Sequence, residues 1–359
     1  MLYQEFNVMH SDRQTAAALR KFELPVMLTA VFALASLLGL LWQSPAPTQR
    51  SVIIDTDAGS DDLLAIAFLL SRPDIRVEAI TIANGMAHVS AGGQNILRLL
   101  DLAGRNDVPV YLGNRTPLAG NAEFPAEWRR ISDQLPGITL PPATRPVASL
   151  SAVAYLSRRL ADTAHPAYVL ALGPLTNLAE TFTRAPQAAR AIRQLVIMGG
   201  AIRIPGSLGD GGAIKTDNTV SEWNMFIDPA AARIVFASGA PIRLIPLDAT
   251  QRVPIDMALL EQFQSHASTP LARFVSQVLT TEQDSIRQEI YFAWDPLAAV
   301  ALANPAEATF KPMAIAISEK QGESGRTVEV KRRRANAQVA MDASALRFRD
   351  IFMTALGVQ

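Results

Sequence analysis

The sequence contains no cysteine in its 359 residues, which excludes disulfide scaffolds, thiol nucleophiles, zinc ribbons and iron–sulfur clusters. It has only four histidines, and no two have the spacing of metal ligands, so a bound metal would be a hard cation held by oxygen. Net charge is also lacking, because 33 Lys and Arg balance 33 Asp and Glu, and nucleic-acid binding is therefore not expected. Hydrophobic residues make up 49% and charged residues 18%, a composition that predicts a folded core.

One long apolar run, Leu24–Trp42, contains 19 residues without a charge. A helix of that length spans about 28 Å, enough to cross a bilayer. Arg13, Arg20 and Lys21 precede the run and a Pro-rich stretch follows it, which favours an uncleaved anchor over a cleaved signal peptide or a buried core helix. We therefore predict a tail at 1–23, a transmembrane anchor at 24–42, a linker at 43–50 and a catalytic domain at 51–359.

The basic residues before the run predict where the domain lies. Because positive flanks stay in the cytoplasm, everything after about residue 50 is expected outside it, on the periplasmic side and anchored to the membrane. If the apolar segment is cleaved instead, the domain would be periplasmic or secreted.

After the apolar run, short apolar segments alternate with segments of helical periodicity. The apolar segments are often β-branched, as expected of strands buried on both faces. The predicted strands are Val52–Ile54, Val77–Ala83, Tyr168–Leu172, Leu195–Met198 and Ile242–Leu247. The predicted helices are Leu63–Leu70, Asn95–Ala103, Leu175–Phe182 and Pro229–Ala237. This alternation predicts one large α/β domain, with a mostly parallel central sheet covered by helices on both faces.

Four carboxylates crowd the turn after the first predicted strand: Asp55, Asp57, Asp61 and Asp62. Like charges at such spacing raise one another's pKa unless a cation or fixed dipoles compensate, and a helix N-terminus supplies only about half a charge. N-capping would account for Asp61 or Asp62. It does not account for Asp55 and Asp57, which lie at the strand end where α/β folds bind ligands. The turn therefore predicts a site for a divalent hard cation.

The turn from Asp55 to Asp62 resembles the signature of the nucleoside hydrolase family, an Asp-x-Asp-x-Gly-x-Asp-Asp turn after the first strand. Further blocks of the family follow in order, and the resemblance covers the chain from Ser51 onward. These blocks are Gly173–Asn177, Met198–Ala201, Glu222–Asn224 with Asp228-Pro229, and Trp294–Ala299. The resemblance implies a Rossmann-like nucleoside hydrolase domain and a homo-oligomer, either a dimer or a tetramer.

The resemblance also implies roles for particular residues. A calcium ion would be coordinated by the carboxylates of Asp57, Asp62 and Asp295 and by the backbone carbonyl of Leu172. Asp57 would act as the general base on a water held by this ion, which would hydrolyse the N-glycosidic bond of a nucleoside. Ribose would be bound by Asp61, Asn84, Glu222 and Asn224.

Two parts of the chain depart from the common family pattern. Asn84 precedes Gly85, whereas the family usually has the order Gly-Asn. The Gly-Asn that commonly comes before the Glu-x-Asn block has no clean counterpart, since the segment from Ile204 to Thr219 offers only Ser207, Asp210 or Asn218. One ribose contact therefore stays unassigned.

Two of the four tryptophans bear on the leaving group. Members that use inosine and pyrimidine nucleosides commonly carry a histidine before the late aspartate, whereas this chain has Trp294 before Asp295. The segment from Phe124 to Arg129 resembles the Phe-Pro-x-Glu-Trp-Arg segment of the purine-specific inosine–adenosine–guanosine branch. By this resemblance Trp128 and Trp294 would sandwich a purine base, although isolated tryptophans are more often core residues.

Two rival functions remain open at this point. A haloacid-dehalogenase-like phosphatase also has two aspartates after a strand, but Gly59 stands where that class has Thr or Val. A surface protein that binds nucleosides with little turnover would keep the same carboxylates. The basic run Lys331–Arg334 could contact a membrane or nucleic acid, but it follows a predicted strand and is more typical of a solvated edge.

Overall fold

A computed structural model describes residues 49–209 and 214–358 of the chain. The predicted tail and anchor, 1–23 and 24–42, and most of the linker lie outside these residues. Within the described part, no helix is both long and apolar enough to span a bilayer.

The centre of the fold is an eight-stranded sheet with the strand order β3-β2-β1-β4-β5-β6-β10-β7. All neighbours pair in parallel except β7, which is antiparallel to β10. A separate antiparallel ribbon joins β8 to β9. The strands are β1 Arg50–Thr56, β2 Ile75–Ile82, β3 Val110–Leu112, β4 Ala167–Ala171, β5 Ile192–Met198, β6 Ile242–Ile245, β7 Ala308–Met313, β8 Ile315–Ile317, β9 Thr327–Glu329 and β10 Ala337–Ala343.

Helices fill the connections between the strands. The α-helices of the described residues are Ser60–Leu70, Val89–Leu102, Ala126–Gln134, Ala152–Arg159, Thr176–Arg184, Trp223–Ile227, Pro229–Ala237, Leu247–Thr250, Met257–His266, Pro270–Thr281, Gln283–Arg287, Trp294–Ala303 and Ala345–Leu356. A 3₁₀ helix, Pro186–Ala191, precedes β5.

Alternate residues of the central strands point into two separate hydrophobic clusters. Ile54 and Leu170 belong to one cluster, whereas Ile53 and Val169 belong to the other. Since successive side chains of a strand face opposite sides of a sheet, helices cover both faces of this one. The predicted α/β fold with a mostly parallel, helix-covered sheet is confirmed.

Most predicted strand boundaries differ from the observed ones by one to three residues, and the end of β6 has a clear physical cause. The strand predicted at Ile242–Leu247 ends at Ile245, and Leu247 begins the short helix Leu247–Thr250. Pro246 explains the difference, because it has no N–H to continue the ladder. The chain turns there, and the Leu247 N–H donates to the Gly200 carbonyl at 2.8 Å.

The strand order changes direction between β1 and β4. The connections from β1 to β2 and β3 run toward one side of the sheet, and those from β4 to β5 and β6 run toward the other. A crevice opens at the carboxyl ends of the strands at such a switch point, which is where open α/β sheets bind ligands. The acidic turn follows β1 directly and therefore lies at this crevice.

Candidate active site

The acidic turn is held in shape by Asp62. Its Oδ1 accepts from the Thr56 hydroxyl, and its Oδ2 accepts from the Gly59 N–H at 3.0 Å. Gly59 is the N-cap of the helix Ser60–Leu70, so Asp62 occupies the N3 position, where a carboxylate satisfies a free N–H of the first turn. Ala58 takes a left-handed backbone, with φ of 59°. Asp62 thus has the capping role predicted for Asp61 or Asp62. Its carboxylate also lies close to those of Asp61 and Asp295.

Asp57 is almost completely buried, with 3% of its surface exposed. Its Oδ2 accepts from the Met86 N–H at 2.8 Å. Gly85 and Gly173 close around it: a Cβ at Gly85 would lie 2.0 Å from Asp57 Oδ2, and one at Gly173 would lie 2.8 Å from Asp57 Cβ. Both glycines are therefore required for the loops after β2 and β4 to reach Asp57. Sequence reasoning missed this, although Gly173 directly follows a predicted strand and Gly85 comes two residues after another.

Asp61, Asp62 and Asp295 form the tightest acidic group, with one oxygen of each lying within 4.8 Å of the others. Asp295 Oδ1 is buried and has no hydrogen-bond partner among the described residues. In that part of the chain no Lys, Arg or His forms an ion pair with these three residues or with Asp57. The predicted cage residues Asp62 and Asp295 are thus brought together, and Asp61, which was expected to bind ribose, joins them.

The electrostatics of the cluster follow from its burial. Burial, together with the charge of Asp62, raises the pKa of Asp61 to about 8 and raises the pKa of Asp57 well above its ordinary value. Burial and the charge of Asp61 likewise raise the pKa of Asp295. Several carboxylates that resist ionisation together, with an orphaned oxygen among them, fit a site for a hard divalent cation.

Asp55 lies behind the cluster and does not join it. Its Oδ1 accepts from Thr81 Oγ1 at 2.5 Å and from Asn177 Nδ2 at 2.8 Å. These bonds tie β1 to β2 and to the helix after β4. Burial raises the pKa of Asp55 to about 6, despite the two hydrogen bonds.

Glu222 and Asn224 bridge the ends of the neighbouring strands. Glu222 caps the helix Trp223–Ile227, and its carboxylate accepts from the N–H groups of Asn224 and Gly200, both at 2.8 Å. Asn224 Nδ2 donates to the Leu172 carbonyl at 2.8 Å. Burial raises the pKa of Glu222 although these N–H groups favour its charge. The carbonyl predicted as a metal ligand therefore lies against Asn224, and the ribose-binding roles of Glu222 and Asn224 stay predictions.

Asn84, at the end of β2, is held by an arginine that sequence reasoning missed. Its Oδ1 accepts from Arg129 Nη2 at 2.9 Å, and Arg129 is 4% exposed. The other end of the guanidinium pairs with the exposed Glu123 at 3.2 Å. Asn84 Oδ1 thus accepts one hydrogen bond from the protein, and its Nδ2 group remains available to donate to a ligand. The position of Arg129 directly after Trp128 was the available signal.

The two tryptophans belong to different aromatic groups. Trp128 packs against Trp223, with ring centroids 5.6 Å apart, and Trp223 in turn stacks on Phe124 at 4.9 Å. Trp294 contacts Tyr291 edge-to-face at 5.2 Å. Both Trp128 and Trp294 are partly exposed. Each indole thus packs against a neighbouring aromatic ring. That Trp128 and Trp294 together stack on the two faces of a base stays a prediction.

Tyr291 connects the Trp294 group to the acidic turn. Its hydroxyl lies 3.1 Å from Ser60 Oγ, at the start of the helix that carries Asp61 and Asp62. Tyr291 is 3% exposed, and burial raises its pKa well above the ordinary value, so it acts as a neutral hydrogen-bonding group. The sequence offered no signal for this contact, since 231 positions separate the two residues.

Proteins of known family match the chain along most of its described length. A family model described as inosine-uridine preferring nucleoside hydrolase matches residues 52–350. A probable uridine nucleosidase 2 from Oryza sativa subsp. japonica is 33% identical over 282 residues, which cover 77% of this chain and 80% of the relative. A solved plant nucleoside hydrolase aligns with a TM-score of 0.74 at 28% identity, covering 86% of this chain and 99% of its own. A purine-preferring ribonucleoside hydrolase from Gardnerella vaginalis aligns with a TM-score of 0.74 at 26% identity, covering 86% and 98%.

Proposed function

This chain belongs to the inosine-uridine preferring nucleoside hydrolase family, and we propose that within it the protein hydrolyses purine ribonucleosides with a bound calcium ion. Family membership makes the chain an N-ribosyl hydrolase, an enzyme that cleaves the N-glycosidic bond of nucleosides. The observation that carries the site assignment is the buried carboxylate cluster, which has no basic partner among the described residues.

The donor set of the cluster supports calcium. Ca²⁺ prefers six to eight oxygen ligands from carboxylates and carbonyls, and the crevice offers Asp57, Asp62, Asp295 and the Leu172 carbonyl, with Asp61 beside them. A calcium ion bound there would lower the pKa of a coordinated water and help to hold the sugar.

Asp57 is proposed as the general base. One of its oxygens is held by the Met86 N–H, which leaves the other to accept a proton from the attacking water. Its burial keeps competing bulk water away from the carboxylate. Asp61, Glu222 and Asn224 would bind the ribose hydroxyls. Asn84 would donate from Nδ2 to a ribose oxygen, while its Oδ1 accepts from Arg129.

The purine preference rests on Trp294 and Trp128. No histidine precedes Asp295 to protonate a leaving base, so stacking on the indoles is the proposed source of leaving-group activation. The similarity to a purine-preferring hydrolase supports this choice. The second candidate is a uridine hydrolase, which the relative from rice favours.

Steady-state kinetics with inosine, adenosine, guanosine, uridine and cytidine in calcium separates the two candidates. Stacking contributes on the order of 1–3 kcal/mol per base. We therefore expect kcat/KM for purine ribonucleosides to exceed that for uridine by tenfold or more, since about 1.4 kcal/mol is a factor of ten. Trp294→Ala should lower turnover of inosine more than turnover of a nitrophenyl riboside, whose leaving group needs no activation. A wild-type preference for uridine would reject the purine assignment. Binding of nucleosides without release of ribose would instead show that the protein binds nucleosides without hydrolysing them.

The location and assembly are proposed on the sequence alone. The segment 24–42 would anchor the chain in the membrane with the catalytic domain outside the cytoplasm, and the domain would assemble as a homo-oligomer. Fractionation with protease added outside the inner membrane tests the first, and light scattering tests the second. Recovery of the full chain in the soluble cytoplasm would reject the anchor.

A further inference from the structure

Arg129 is a buried cation in a helix that is held to its surroundings by polar contacts. In the helix Ala126–Gln134 only Arg129 and Ser132 are fully buried, and neither is apolar. Asp133 accepts from the backbone N–H of His88 at 2.8 Å and pairs with its Nδ1 at 2.6 Å. The position of this helix against the loop after β2 therefore depends largely on hydrogen bonds, among them the one that Arg129 donates.

The surroundings of Arg129 do not offset the cost of burying its charge. Arg129 is 4% exposed, whereas Glu123, with which it forms an ion pair, has a side chain that is 61% exposed. Such a pair is screened by solvent and contributes little to stability. The Arg129 Nε group is buried and has no hydrogen-bond partner among residues 49–209 and 214–358. A cation buried with so few partners destabilises the fold, so positioning another group explains Arg129 better than stability does.

The hydrogen bond from Arg129 fixes the direction in which the Asn84 amide points. Arg129 Nη2 donates to Asn84 Oδ1 at 2.9 Å. A guanidinium has only donors, so the amide atom that faces it must be the oxygen. Asn84 Nδ2 then points away from Arg129, and in the described part of the chain it donates to no other residue. The next residue, Gly85, packs against Asp57, so this donor lies close to the proposed general base.

We propose that Arg129 is a positioning residue, which holds Asn84 so that Nδ2 donates to the sugar of a bound nucleoside. The inference rests on the proposed function, which assigns the ribose to this part of the crevice. Trp128 precedes Arg129 in the same helix and is proposed to stack on the base. One helix would therefore set a base contact directly and a sugar contact through Asn84.

The carboxylates of the crevice explain why a donor is needed there. Asp61 and Glu222 are proposed to bind the sugar, and an ionised carboxylate can only accept hydrogen bonds. A sugar hydroxyl has one proton, so after donating it to a carboxylate its lone pairs require a donor or a cation. Asn84 Nδ2 is such a donor, and Arg129 prevents the amide from turning its oxygen toward the sugar.

The probes are formycin B and pseudouridine, analogues of inosine and uridine. In each, a carbon–carbon bond joins the base to the ribose, so the analogue binds without being hydrolysed. Titration calorimetry with the full chain in detergent and calcium gives the Kd of each probe. The probe that binds the wild-type chain more tightly is then used with every variant, which makes the test independent of the base preference.

Asn84→Asp keeps an oxygen for Arg129 and replaces the proposed donor with a second oxygen. The affinity should fall by about tenfold or more, as expected when a hydrogen bond is lost and an acceptor faces acceptors. The thermal midpoint should not fall, because the contact with Arg129 becomes an ion pair. A residue that only supports the helix would show the reverse, an unchanged Kd.

A double-mutant cycle tests whether Arg129 acts through Asn84. Arg129→Met and Asn84→Ala should each weaken binding by about threefold or more. The double variant should bind as Asn84→Ala does, within about a factor of two, because Arg129 has no effect once the amide is gone. Arg129→Lys, which restores a donor and the charge, should recover part of the affinity.

The next residue of the same helix supplies the matched control. Arg130 is exposed and pairs with the exposed Glu127, so Arg130→Met removes an arginine from this helix without affecting Asn84. Its Kd should equal that of the wild-type chain. A loss in Arg130→Met as large as in Arg129→Met would overturn the proposal, because any disturbance of the helix would then have the same effect.

Two further results would overturn the proposal. They are an unchanged Kd in Asn84→Asp, which decides the matter even where Arg129→Met does not fold, and losses that multiply in the double variant. Binding of a probe together with no release of ribose from any nucleoside would reject hydrolysis and leave the role of Arg129 standing. A wild-type chain that binds neither probe would reject the proposed function and this inference together.

Discussion

Glu78, a half-buried acid within β2, and the buried acids of the crevice differ in what compensates their charge. Glu78 of β2 accepts from Ser51 Oγ at 2.6 Å and Tyr155 OH at 3.1 Å, and it forms an ion pair with Arg159. Burial disfavours its charge, but the hydrogen bonds from Arg159 and Ser51 outweigh burial and lower its pKa. Asp57, Asp61 and Asp295 form no ion pair with a basic residue in the described part of the chain, and burial raises the pKa of each. An acid with its own arginine keeps its charge at neutral pH, whereas a buried cluster without one is compensated by protons or by a cation from solution.

The largest expected effect comes from the crevice. Asp57→Asn removes the proposed proton acceptor while keeping the size and the hydrogen bond from Met86. Turnover of inosine should fall by about 10²–10⁴, the range for a lost general base, while the thermal midpoint changes little. Asp107→Asn, at an exposed ion pair with Arg105, is the control and should keep full turnover. Unchanged turnover in Asp57→Asn would remove Asp57 from the mechanism.

The next effect is that Asp295→Asn should change the free energy of unfolding in opposite directions with and without calcium. In calcium, Asp295→Asn should destabilise the protein, because a ligand that binds only the native state contributes about 2.7 kcal/mol at 100 times its Kd. After chelation the same variant should be more stable than wild type by roughly 1–3 kcal/mol, because a buried, unpartnered oxygen no longer carries charge.

Urea unfolding of both proteins, with calcium and with chelator, measures this difference. Wild-type protein that keeps full activity and stability after exhaustive chelation, with no metal by elemental analysis, would contradict the cation site. A destabilised variant under both conditions would show that Asp295 is structural only.

The Glu78 group should respond in the opposite way. Arg159→Met leaves Glu78 without its cation and should lower the free energy of unfolding by about 1–3 kcal/mol, less than for a fully buried pair because both side chains are partly exposed. Calcium should not change this loss, and kcat/KM should stay at the wild-type value. A large drop in kcat/KM would mean that the two regions are coupled through β1 and β2.

The smallest effect is a difference in pH dependence. The native pKa values of Asp61, about 8, and Asp55, about 6, lie above their unfolded values, so the folded state binds protons more tightly. The chelated protein should therefore become more stable as the pH falls from 8 to 6. Glu78 has a lowered native pKa, so its contribution is present at neutral pH and is lost as the pH falls below about 4.5. Urea midpoints at pH 8, 7 and 6 with chelator measure the first slope, which calcium should abolish.

The fold could be read from the chain because its signals are local. The buried strands were apolar and β-branched, and the helix Pro229–Ala237 was predicted with both of its ends because Pro and the preceding Asp228 mark its start. Strands β3, β7, β8 and β10 were not predicted. β3 and β8 have only three residues, which carry too little pattern, and β7 is an edge strand that buries only its two end residues. Leu247 was placed in a strand because its apolar character outweighed the Pro246 signal.

The site could be read only in part. The acidic turn and the family blocks named its residues, but not which of them share one space, and Asp61 joined the tightest group although it was expected to bind ribose. Arg129 was not assigned because its target, Asn84, is 45 positions away. The packing of Trp223 against Phe124 and Trp128 joins residues about 100 positions apart, so the sequence could not predict it.

Periodicity, turn residues and motif order were sufficient for the fold class, the acidic turn and the family, because each depends on residues that are neighbours along the chain. The meeting of Asp61, Asp62 and Asp295 and the closure of Gly85 and Gly173 on Asp57 required the folded sheet. The physical reason is that parallel strands bring their ends together whatever their distance in sequence. Burial then sets the energy of each charge by the partners it meets there.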